Sequence, residues 1–359
     1  MIALSLLHNK KLKLINKKLS KKVLSNQCRI EILYSGICAS DIPRAFDSMA
    51  YRYPLIMGHE FVGRVIDTGS KCKNFEIGDI VSAFPLIPCS VQNAKKSCIY
   101  CDEKKFNLCD NYDYYGSRRD GSFCEVLDVN EWNLFKLNNK YDLKLYSLIE
   151  PTAVSFNIIE NLKKILGSNL DILVLGAGYI GQIVSRILNS QGKKNHIYVL
   201  DRNKFKLDYV KKYSFKQILV PKKNFKKENF VSQLNSKFDI VIESTGKDIN
   251  FLNALNFAKK DGTVIYSGNI DKKLLFTKNQ VSNILRKQLT IKGIWNSSFK
   301  SKIDNWKKSE IFISNNYGMD QLITHISELD GAAELLKNIY LKKKGKIKND
   351  YLKGLIKCF

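Results

Sequence analysis

The sequence lacks the hydrophobic segments that membrane insertion or export requires. Its 359 residues contain no run of about 18 uncharged apolar side chains, the length that a helix needs to cross a bilayer. The apolar residues 1–7 are few, have no basic region before them and lead into lysine-rich sequence, which is typical of a first strand rather than of a signal peptide. We therefore expect a cytoplasmic protein, and the length favours two domains.

Acidic residues are scarce beside basic ones. The chain has 34 Asp and Glu against 59 Lys and Arg, which gives a formal net charge of +25. Such a charge can indicate a nucleic-acid partner. Here, however, lysine dominates, is spread along the chain, and accompanies no helix-turn-helix, zinc-finger or RNP pattern. We therefore interpret it as a solvated surface and expect neither a nucleic-acid nor a membrane partner, while an anionic substrate stays open.

The nine cysteines do not suit a disulfide framework, because their number is odd and no export signal accompanies them. Four of them, with one C-x2-C pair, fall in a single charged, loop-like segment. Four thiolates can hold a structural Zn²⁺ in a closed tetrahedral site and so fix a loop that has no hydrophobic core. Buried free thiols are the alternative, although they do not suit a polar loop. The predicted ligands are Cys89, Cys98, Cys101 and Cys109.

The two halves of the chain differ in texture, and neither contains repeats or a low-complexity linker. The first is rich in short β-like runs broken by glycine, which predicts a strand-rich domain with long loops. From about Pro151 helical and strand patterns alternate, which predicts a parallel sheet with helices on both faces. After Trp295 the pattern is helical and amphipathic, and the residues from Gly345 onward are expected to return to the first domain. The predicted boundaries are 1–153, 154–296 and 297–359.

A glycine-rich motif, Gly176-Ala-Gly178-Tyr179-Ile180-Gly181, follows the apolar run DILVL and opens a helical pattern. In this context the motif predicts a dinucleotide site, with the diphosphate on the free N–H groups at the helix N-terminus. Asp201, at the end of the next predicted strand, can accept hydrogen bonds from the ribose hydroxyls and would repel a 2′-phosphate, which favours NAD over NADP. Arg202 beside it keeps NADP open. A structural turn without a nucleotide is the alternative.

A second set of residues suits a catalytic metal. Cys38 offers a thiolate, His59 an imidazole and Glu60 a carboxylate, which together suit zinc and leave a coordination position open. Glu150, at the expected domain boundary, is a further carboxylate. Each residue alone has an ordinary structural explanation, so the prediction rests on their combination.

The runs GICASD, GHEFVG and VLGAGYIG, with the four-cysteine segment and the Glu150-Pro151 pair, resemble the zinc-containing medium-chain dehydrogenases over essentially the whole chain. The segments DIPR, FPLIPC, NYDYYGSRRDG and WNSS are most similar to the polyol dehydrogenase branch, above all to dehydrogenases of galactitol 1-phosphate. The resemblance implies a GroES-like catalytic domain, a Rossmann cofactor domain, two zinc ions per chain, and homodimers or homotetramers. The expected fold class is therefore α/β plus β.

The resemblance also implies roles for single residues. Cys38, His59 and either Glu60 or Glu150 would hold the catalytic zinc, Ser40 would take the alcohol proton, and Asp41 would orient a ligand. The sequence departs from the family at Lys104, where the cysteine lobe often has glycine. It departs again at Pro43, where a proton-relay histidine is common, and in the long gap between Cys89 and Cys98.

These features predict a zinc-dependent oxidoreductase that transfers a hydride from a secondary alcohol of a polyol or polyol phosphate to NAD. The scarce arginines Arg44, Arg118 and Arg119 suit a substrate phosphate, and ordinary salt bridges with Asp41, Asp113 or Asp120 are the alternative. A sorbitol- or L-threonine-type zinc dehydrogenase is a second hypothesis. A non-catalytic descendant that binds nucleotide or nucleic acid is a third, but it would be expected to have lost a zinc ligand or the glycine loop, and neither is lost.

Overall fold

The computed structural model describes residues 1–8, 11–92, 97–138, 142–220, 232–270, 272–348 and 350–359. The chain divides into two units. One consists of Met1–Ala153 together with Ser297–Phe359, and the other of Val154–Asn296. No helix among these described residues is long and apolar enough to cross a membrane.

The first unit is built mainly from strands. They are β1 (Ile2–Leu7), β2 (Lys11–Asn16), β3 (Gln27–Gly36), β4 (Leu55–Ile56), β5 (Glu60–Thr68), β6 (Ile80–Ala83), β7 (Leu86–Ile87), β8 (Asp113–Tyr114), β9 (Val126–Asn130), β10 (Leu134–Lys136), β17 (Ile323–Glu328) and β18 (Lys353–Lys357). Its helices are α1 (Asp41–Phe46), α2 (Ile99–Asp102), α3 (Leu143–Tyr146), α4 (Ile149–Leu162, which runs on into the second unit), α9 (Asn305–Ser314) and α10 (Ala332–Lys343).

The main sheet of this unit places the C-terminal strand beside an early one. Its order is β10-β6-β5-β3-β18-β17, and β9 also pairs with β3. β3 runs antiparallel to both β5 and β18, so the end of β3 at Gly36 lies beside Glu60 on one side and Leu355 on the other. A separate three-stranded sheet has the order β2-β1-β4.

The second unit alternates strands and helices as the sequence predicts. Its elements are β11 (Asp171–Leu175), α5 (Tyr179–Ser190), β12 (His196–Asp201), α6 (Lys204–Val210), β13 (Lys216–Leu219), β14 (Phe238–Glu243), α7 (Asp248–Phe257), β15 (Ala258–Tyr266), α8 (Lys278–Lys287) and β16 (Thr290–Gly293). The sheet is parallel with the order β13-β12-β11-β14-β15-β16, so strand order reverses at β11. The glycine motif follows β11, at the point where a doubly wound sheet binds its ligand.

One expectation fails after Trp295. The segment 323–328 is not helical but forms β17, which pairs in parallel with β18. Its sequence, ITHISE, places its apolar residues Ile323 and Ile326 three positions apart, a spacing typical of a helix and not the period of two of a half-buried strand. Sheet pairing therefore overrides the helical pattern of its neighbours.

Candidate active site

The antiparallel register of β3 and β5 brings three of the predicted metal ligands together. Gly36 pairs with Glu60 across the two strands, so Cys38, two residues beyond β3, lies near His59 and Glu60 at the start of β5. The donor atoms of these three side chains all lie within 4.8 Å of one another. Glu60 thus completes the cluster.

Two glycines make this arrangement possible. A Cβ at Gly36 would lie 2.3 Å from Glu60 Oε2, so any side chain there would displace the carboxylate. Gly58 has φ +91°, and a Cβ there would lie 2.4 Å from the ring of Phe123. Since glycine alone tolerates both conditions, the turn that presents His59 depends on it.

Asp41 holds the cluster from behind. Its fully buried carboxylate accepts a hydrogen bond from the Cys38 backbone N–H at 2.9 Å and faces His59 Nδ1 at 3.8 Å. His59 Nδ1 is itself buried and has no hydrogen-bond partner among the described residues. A thiol, a carboxyl group and an imidazole with an unsatisfied ring nitrogen form a donor set that fits zinc.

Ser40 lies beside the sulfur of Cys38. Its hydroxyl donates to Cys38 Sγ at 3.3 Å and accepts from Arg44 Nη1 at 3.1 Å. The same Arg44 nitrogen lies 3.2 Å from Asp41 Oδ1. Ser40, Asp41 and Arg44 therefore form one connected group next to Cys38.

Lys353 is a member of the site that sequence reasoning missed. Its side chain is only 4% exposed, forms an ion pair with Glu60 Oε2, and donates to the Ile37 carbonyl oxygen at 3.0 Å. In the sequence it is one of many lysines. Only the pairing of β18 with β3 reveals that this one is buried against a candidate ligand.

Burial and negative charge make the cluster a favourable place for a cation. Burial raises the pKa of the Cys38 thiol to about 11, and the charges of Glu60 and Asp41 add to the effect while Lys353 opposes it. Burial also raises the pKa of Glu150 to about 8, with His59 opposing and Glu60 adding. Glu150 is therefore a buried neighbour of the cluster, although its oxygens lie outside the group of three donors.

Tyr114 is a second residue that the sequence did not single out. Its ring meets the imidazole of His59 edge-on, with the centroids 5.8 Å apart. Burial raises the pKa of its hydroxyl well above the usual value, and the nearby charges of Glu150 and Cys38 add to this. The phenol therefore stays protonated and can donate a hydrogen bond.

The four lobe cysteines converge as predicted, including Cys89 at the end of the long gap. All four sulfur atoms lie within 4.8 Å of one another, with 3.6 Å between Cys89 and Cys101 and 3.9 Å between Cys98 and Cys109. Sulfurs placed tetrahedrally at about 2.3 Å around Zn²⁺ would be about 3.8 Å apart. The cysteines are free thiols with spacings that fit zinc.

The backbone conformation at Lys104 accounts for the glycine that the resemblance leads one to expect at this position. Its φ is +57°, the left-handed conformation that glycine adopts without strain. The lobe thus keeps the backbone geometry for which related sequences often use glycine.

The glycines of the motif Gly176–Gly181 divide their roles between packing and access. Gly176 has φ +100°, and a Cβ on Gly181 would lie 1.9 Å from the Gly176 carbonyl oxygen. A Cβ on Gly178, by contrast, would meet no protein atom within 4 Å. Gly178 is therefore not required for packing, and its bare backbone at the N-terminus of α5 is accessible to a diphosphate. Tyr179 and Ile180 form the first turn of that helix.

Asp201 lies at the carboxyl end of β12 beside the same loop. Its Oδ2 accepts from the Ala177 N–H at 2.8 Å and its Oδ1 from the Asn203 N–H at 2.8 Å. Each oxygen keeps a further lone pair that can accept from a ribose hydroxyl. Arg202 is exposed beside it.

The three arginines considered for a phosphate have local partners. Arg44 is paired with Asp41, and Arg119 lies 2.5 Å from Asp113. Arg118 stacks on Tyr112, 4.4 Å from the ring centroid. Two of the three salt bridges considered as the alternative are therefore present.

Two family models match the chain in order. One is described as an alcohol dehydrogenase GroES-like domain and matches residues 25–139, and the other is described as a zinc-binding dehydrogenase and matches residues 180–314. They confirm the predicted fold class, a GroES-like domain with a Rossmann-type domain.

Proteins of known function are similar to this chain in sequence over most of its length. The chain is 28% identical over 325 residues to galactitol 1-phosphate 5-dehydrogenase of Escherichia coli (strain K12), covering 88% of this chain and 89% of that protein. It is 28% identical over 317 residues to L-threonine 3-dehydrogenase of Pseudoalteromonas translucida, covering 85% and 86%.

Solved structures share the whole fold. The galactitol-1-phosphate dehydrogenase from Escherichia coli matches with a TM-score of 0.86 and 24% identity, covering 99% of this chain and all of that one. A zinc-binding dehydrogenase from Sinorhizobium meliloti 1021, bound to NADP, matches with a TM-score of 0.82 and 20% identity, covering 99% and 98%. With both domains matched in sequence and the fold matched throughout, the chain belongs to the family of zinc-dependent alcohol dehydrogenases.

Proposed function

We propose that this enzyme oxidises a secondary hydroxyl group of a small polyol or polyol phosphate and passes the hydride to NAD. The observation that carries the proposal is the cluster of Cys38, His59 and Glu60, whose donor atoms lie within 4.8 Å with Ser40 beside them. The similarity to a galactitol 1-phosphate dehydrogenase supports the polyol class.

In this proposal Cys38, His59 and Glu60 hold the catalytic zinc, and Glu150 stays close as a buried carboxyl group. When bound, zinc acts as a Lewis acid that lowers the pKa of the substrate hydroxyl. Asp41 positions the ligands by accepting from the Cys38 backbone N–H and by facing the imidazole Nδ1 of His59. Lys353 compensates the charge of Glu60 and holds its carboxylate in one orientation.

Ser40 takes the proton of the substrate hydroxyl and releases its own hydroxyl proton in the same relay. Its oxygen lies next to Cys38 Sγ, and the hydrogen bond from the Arg44 cation stabilises negative charge on that oxygen, which eases the release of the hydroxyl proton. With Pro43 in place of a relay histidine, water or a ribose hydroxyl takes the proton onward from Ser40. Tyr114, held protonated beside His59, donates to a second hydroxyl of the substrate.

The cofactor assigned to the second unit is NAD. The diphosphate would bind the accessible backbone at Gly178, and the ribose hydroxyls would bind Asp201, whose charge repels a 2′-phosphate. The nicotinamide ring supplies the hydride acceptor. The exposed Arg202 beside Asp201 favours NADP, so both cofactors belong in the test.

L-threonine is the second candidate substrate, because an L-threonine 3-dehydrogenase is as similar in sequence as the galactitol phosphate enzyme. A screen of NAD and NADP reduction across polyols, polyol phosphates, simple alcohols and L-threonine separates the candidates. We expect the highest kcat/KM with a polyol or its phosphate and with NAD. A preference for L-threonine or for a simple primary alcohol would refute the polyol assignment.

The metal assignment is tested by metal analysis of the purified enzyme. We expect two zinc ions per chain in the wild type and one in Cys38→Ser, with activity lost. Cys72→Ser, outside both clusters, is the matched control and should keep two ions and full activity. Full activity of Cys38→Ser would refute the assignment of this cluster to catalysis.

We also propose that the enzyme is a homodimer joined through the second unit. Among the described residues its sheet ends at the edge strand β16, and the adjoining segment and helix α8 expose apolar side chains. Leu275 is 68% exposed, Val281 54% and Leu285 77%. An apolar surface next to an open strand edge suits a second copy of the same chain.

A further inference from the structure

We propose that a basic cavity in the first unit, separate from the metal cluster, binds a phosphorylated polyhydroxy compound. The cavity has a volume of about 470 Å³ and lies entirely within the Met1–Ala153 part of the unit. Three segments supply its cations: the end of β2, the residues before β4, and the loop after β8. These lining cations are Lys17, Lys18, Arg52, Arg118 and Arg119.

The carboxylates of the cavity are already paired. Asp113 lies 2.5 Å from Arg119, Asp120 lies 2.5 Å from Lys17, and Asp128 is held by Arg29 at 2.8 Å. Among the described residues, no carboxylate lies within ion-pair distance of the other three cations. The uncompensated cations are Lys18, Arg52 and Arg118.

Arg118 is fixed in place before any ligand binds. Its guanidinium stacks on Tyr112 at 4.4 Å and lies 5.2 Å from the centroid of Tyr51, and it donates to the Tyr112 carbonyl oxygen at 3.2 Å. Stacking leaves the in-plane N–H groups free to donate, and a planar guanidinium matches two oxygens of a phosphate. The cavity therefore offers three exposed cationic groups, one of which is stacked on a tyrosine ring.

The cavity lies on the far side of one chain segment from the metal cluster. Tyr114 presents its ring to His59, whereas its neighbours Asp113 and Tyr115 line the cavity. Successive side chains of an extended segment point to opposite faces, so the two sites share this segment as a common wall. A ligand in the cavity is therefore not the substrate bound at the metal.

Residues 120–122, of which Asp120 and Gly121 line the cavity, are hydrogen-bonded to the segment that leads into His59. Asp120 Oδ1 accepts from the Ile56 N–H at 3.0 Å, and the Gly121 N–H donates to the Ile56 carbonyl oxygen at 2.8 Å. The Ser122 N–H donates to the Gly58 carbonyl oxygen at 3.0 Å. The cavity lining therefore shares backbone hydrogen bonds with the segment that leads into a candidate metal ligand.

The lining indicates the class of ligand. Guanidinium and ammonium groups bind a phosphate, and the paired carboxylates keep lone pairs that accept from hydroxyl groups. A volume of about 470 Å³ is in the range of small-molecule sites. A phosphorylated sugar or polyol combines these features, whether it is the substrate of the enzyme acting at a second site or another metabolite.

The test is calorimetric binding of inorganic phosphate to the zinc-loaded full chain, a readout that does not depend on turnover. We expect one phosphate per chain with a Kd on the order of 1 mM in the wild type. The double variant Lys18→Gln with Arg52→Gln should weaken binding by roughly tenfold, since it removes two of the three uncompensated cations. Lys13→Gln with Arg64→Gln removes the same charge outside the cavity and should leave the Kd within about twofold.

Equal weakening in both double variants would overturn the proposal, because it would assign binding to the net charge alone. Absence of phosphate binding in the wild type would overturn it as well. The source of the ligand is decided by competition: displacement of phosphate by the polyol phosphate that the enzyme oxidises supports the cavity as a second substrate site. Displacement only by phosphate esters that it does not oxidise supports the cavity as a site for another metabolite.

Discussion

At the scale of single residues, Glu60 and Lys353 depend on each other. Both side chains are almost completely buried, and the ammonium group of Lys353 is in direct contact with the carboxylate of Glu60. A buried charge whose partner is removed costs about 3–5 kcal/mol, far more than the loss of an exposed pair. The pair is therefore a sensitive point of the metal cluster.

Lys353→Met should lower the free energy of unfolding by about 3 kcal/mol in the zinc-free enzyme, because it leaves Glu60 buried and unpaired. With zinc bound the loss should be smaller, since the metal compensates the carboxylate. Denaturant unfolding of both forms measures the difference. Lys357→Met, on the same strand but exposed and paired with Glu328, is the control and should cost less than about 1 kcal/mol. Equal losses with and without zinc would contradict a link between Lys353 and the metal site.

Gly178 and Gly181 are expected to respond differently to the same substitution. Gly178→Ala adds a Cβ that touches no protein atom, so we expect the free energy of unfolding to change by less than about 1 kcal/mol. The dissociation constant of the Gly178→Ala variant for NADH should rise at least roughly tenfold, since the added methyl group blocks the approach of the diphosphate. Gly181→Ala drives a Cβ against the Gly176 carbonyl and should cost about 1–3 kcal/mol of stability.

Fluorescence titration with NADH and denaturant unfolding separate the two effects. If Gly178→Ala destabilised the fold as much as Gly181→Ala does, the division between access and packing would be wrong.

At the scale of elements, the cysteine lobe has almost no hydrophobic core of its own. Its buried residues are Cys89, Cys101 and Cys109, with Cys98, Phe106 and Tyr112 packed around them, and its only α-helix among the described residues, α2, has four residues. A segment of this kind is stable only when its thiolates are cross-linked by a metal.

Removal of one lobe ligand should therefore unfold the lobe locally. In Cys101→Ser we expect the amides of residues 97–109 to lose most of their protection from hydrogen exchange, while the strands β3 and β5 keep theirs. Mass spectrometry of exchanged peptides measures both regions, and Cys124→Ser, a buried thiol outside the lobe, is the control. Unchanged protection of the lobe amides from hydrogen exchange in Cys101→Ser would contradict the proposal that zinc holds the lobe together.

Two elements, α5 and β17, show where the local sequence pattern predicts secondary structure and where it does not. The motif helix α5 spans Tyr179–Ser190, as its sequence predicts, because its glycines, its apolar spacing and its end are all encoded within residues 176–190. β17 was expected to be helical, because nothing local distinguishes it from its helical neighbours. Its strand form is decided by β18, which lies about thirty residues further along and supplies the hydrogen-bonding partner.

At the scale of the whole molecule, the proposed dimer rests on an exposed apolar surface at the edge of the second unit's sheet. Leu285→Glu places a charge in the middle of that surface and should convert the dimer to a monomer, because a carboxylate loses its hydration when it is buried in an apolar interface. Sedimentation velocity at micromolar concentration measures the change. Ile77→Glu, at a side chain that is 72% exposed on the first unit, is the matched control and should stay dimeric. A wild type that sediments as a monomer would refute the interface.

The sequence by itself determined the fold class and the family, and it predicted the residues of the candidate site. Some features can be recognised from residue identity and spacing alone, before any coordinates. They are the four lobe cysteines, the set Cys38, His59 and Glu60, and the glycine motif. The tertiary structure decided which groups meet. Lys353 reaches Glu60 across 293 residues through the pairing of β18 with β3, and three separate segments assemble the basic cavity. Such contacts depend on strand order and register, which arise from the packing of the whole sheet and leave no local trace in the sequence.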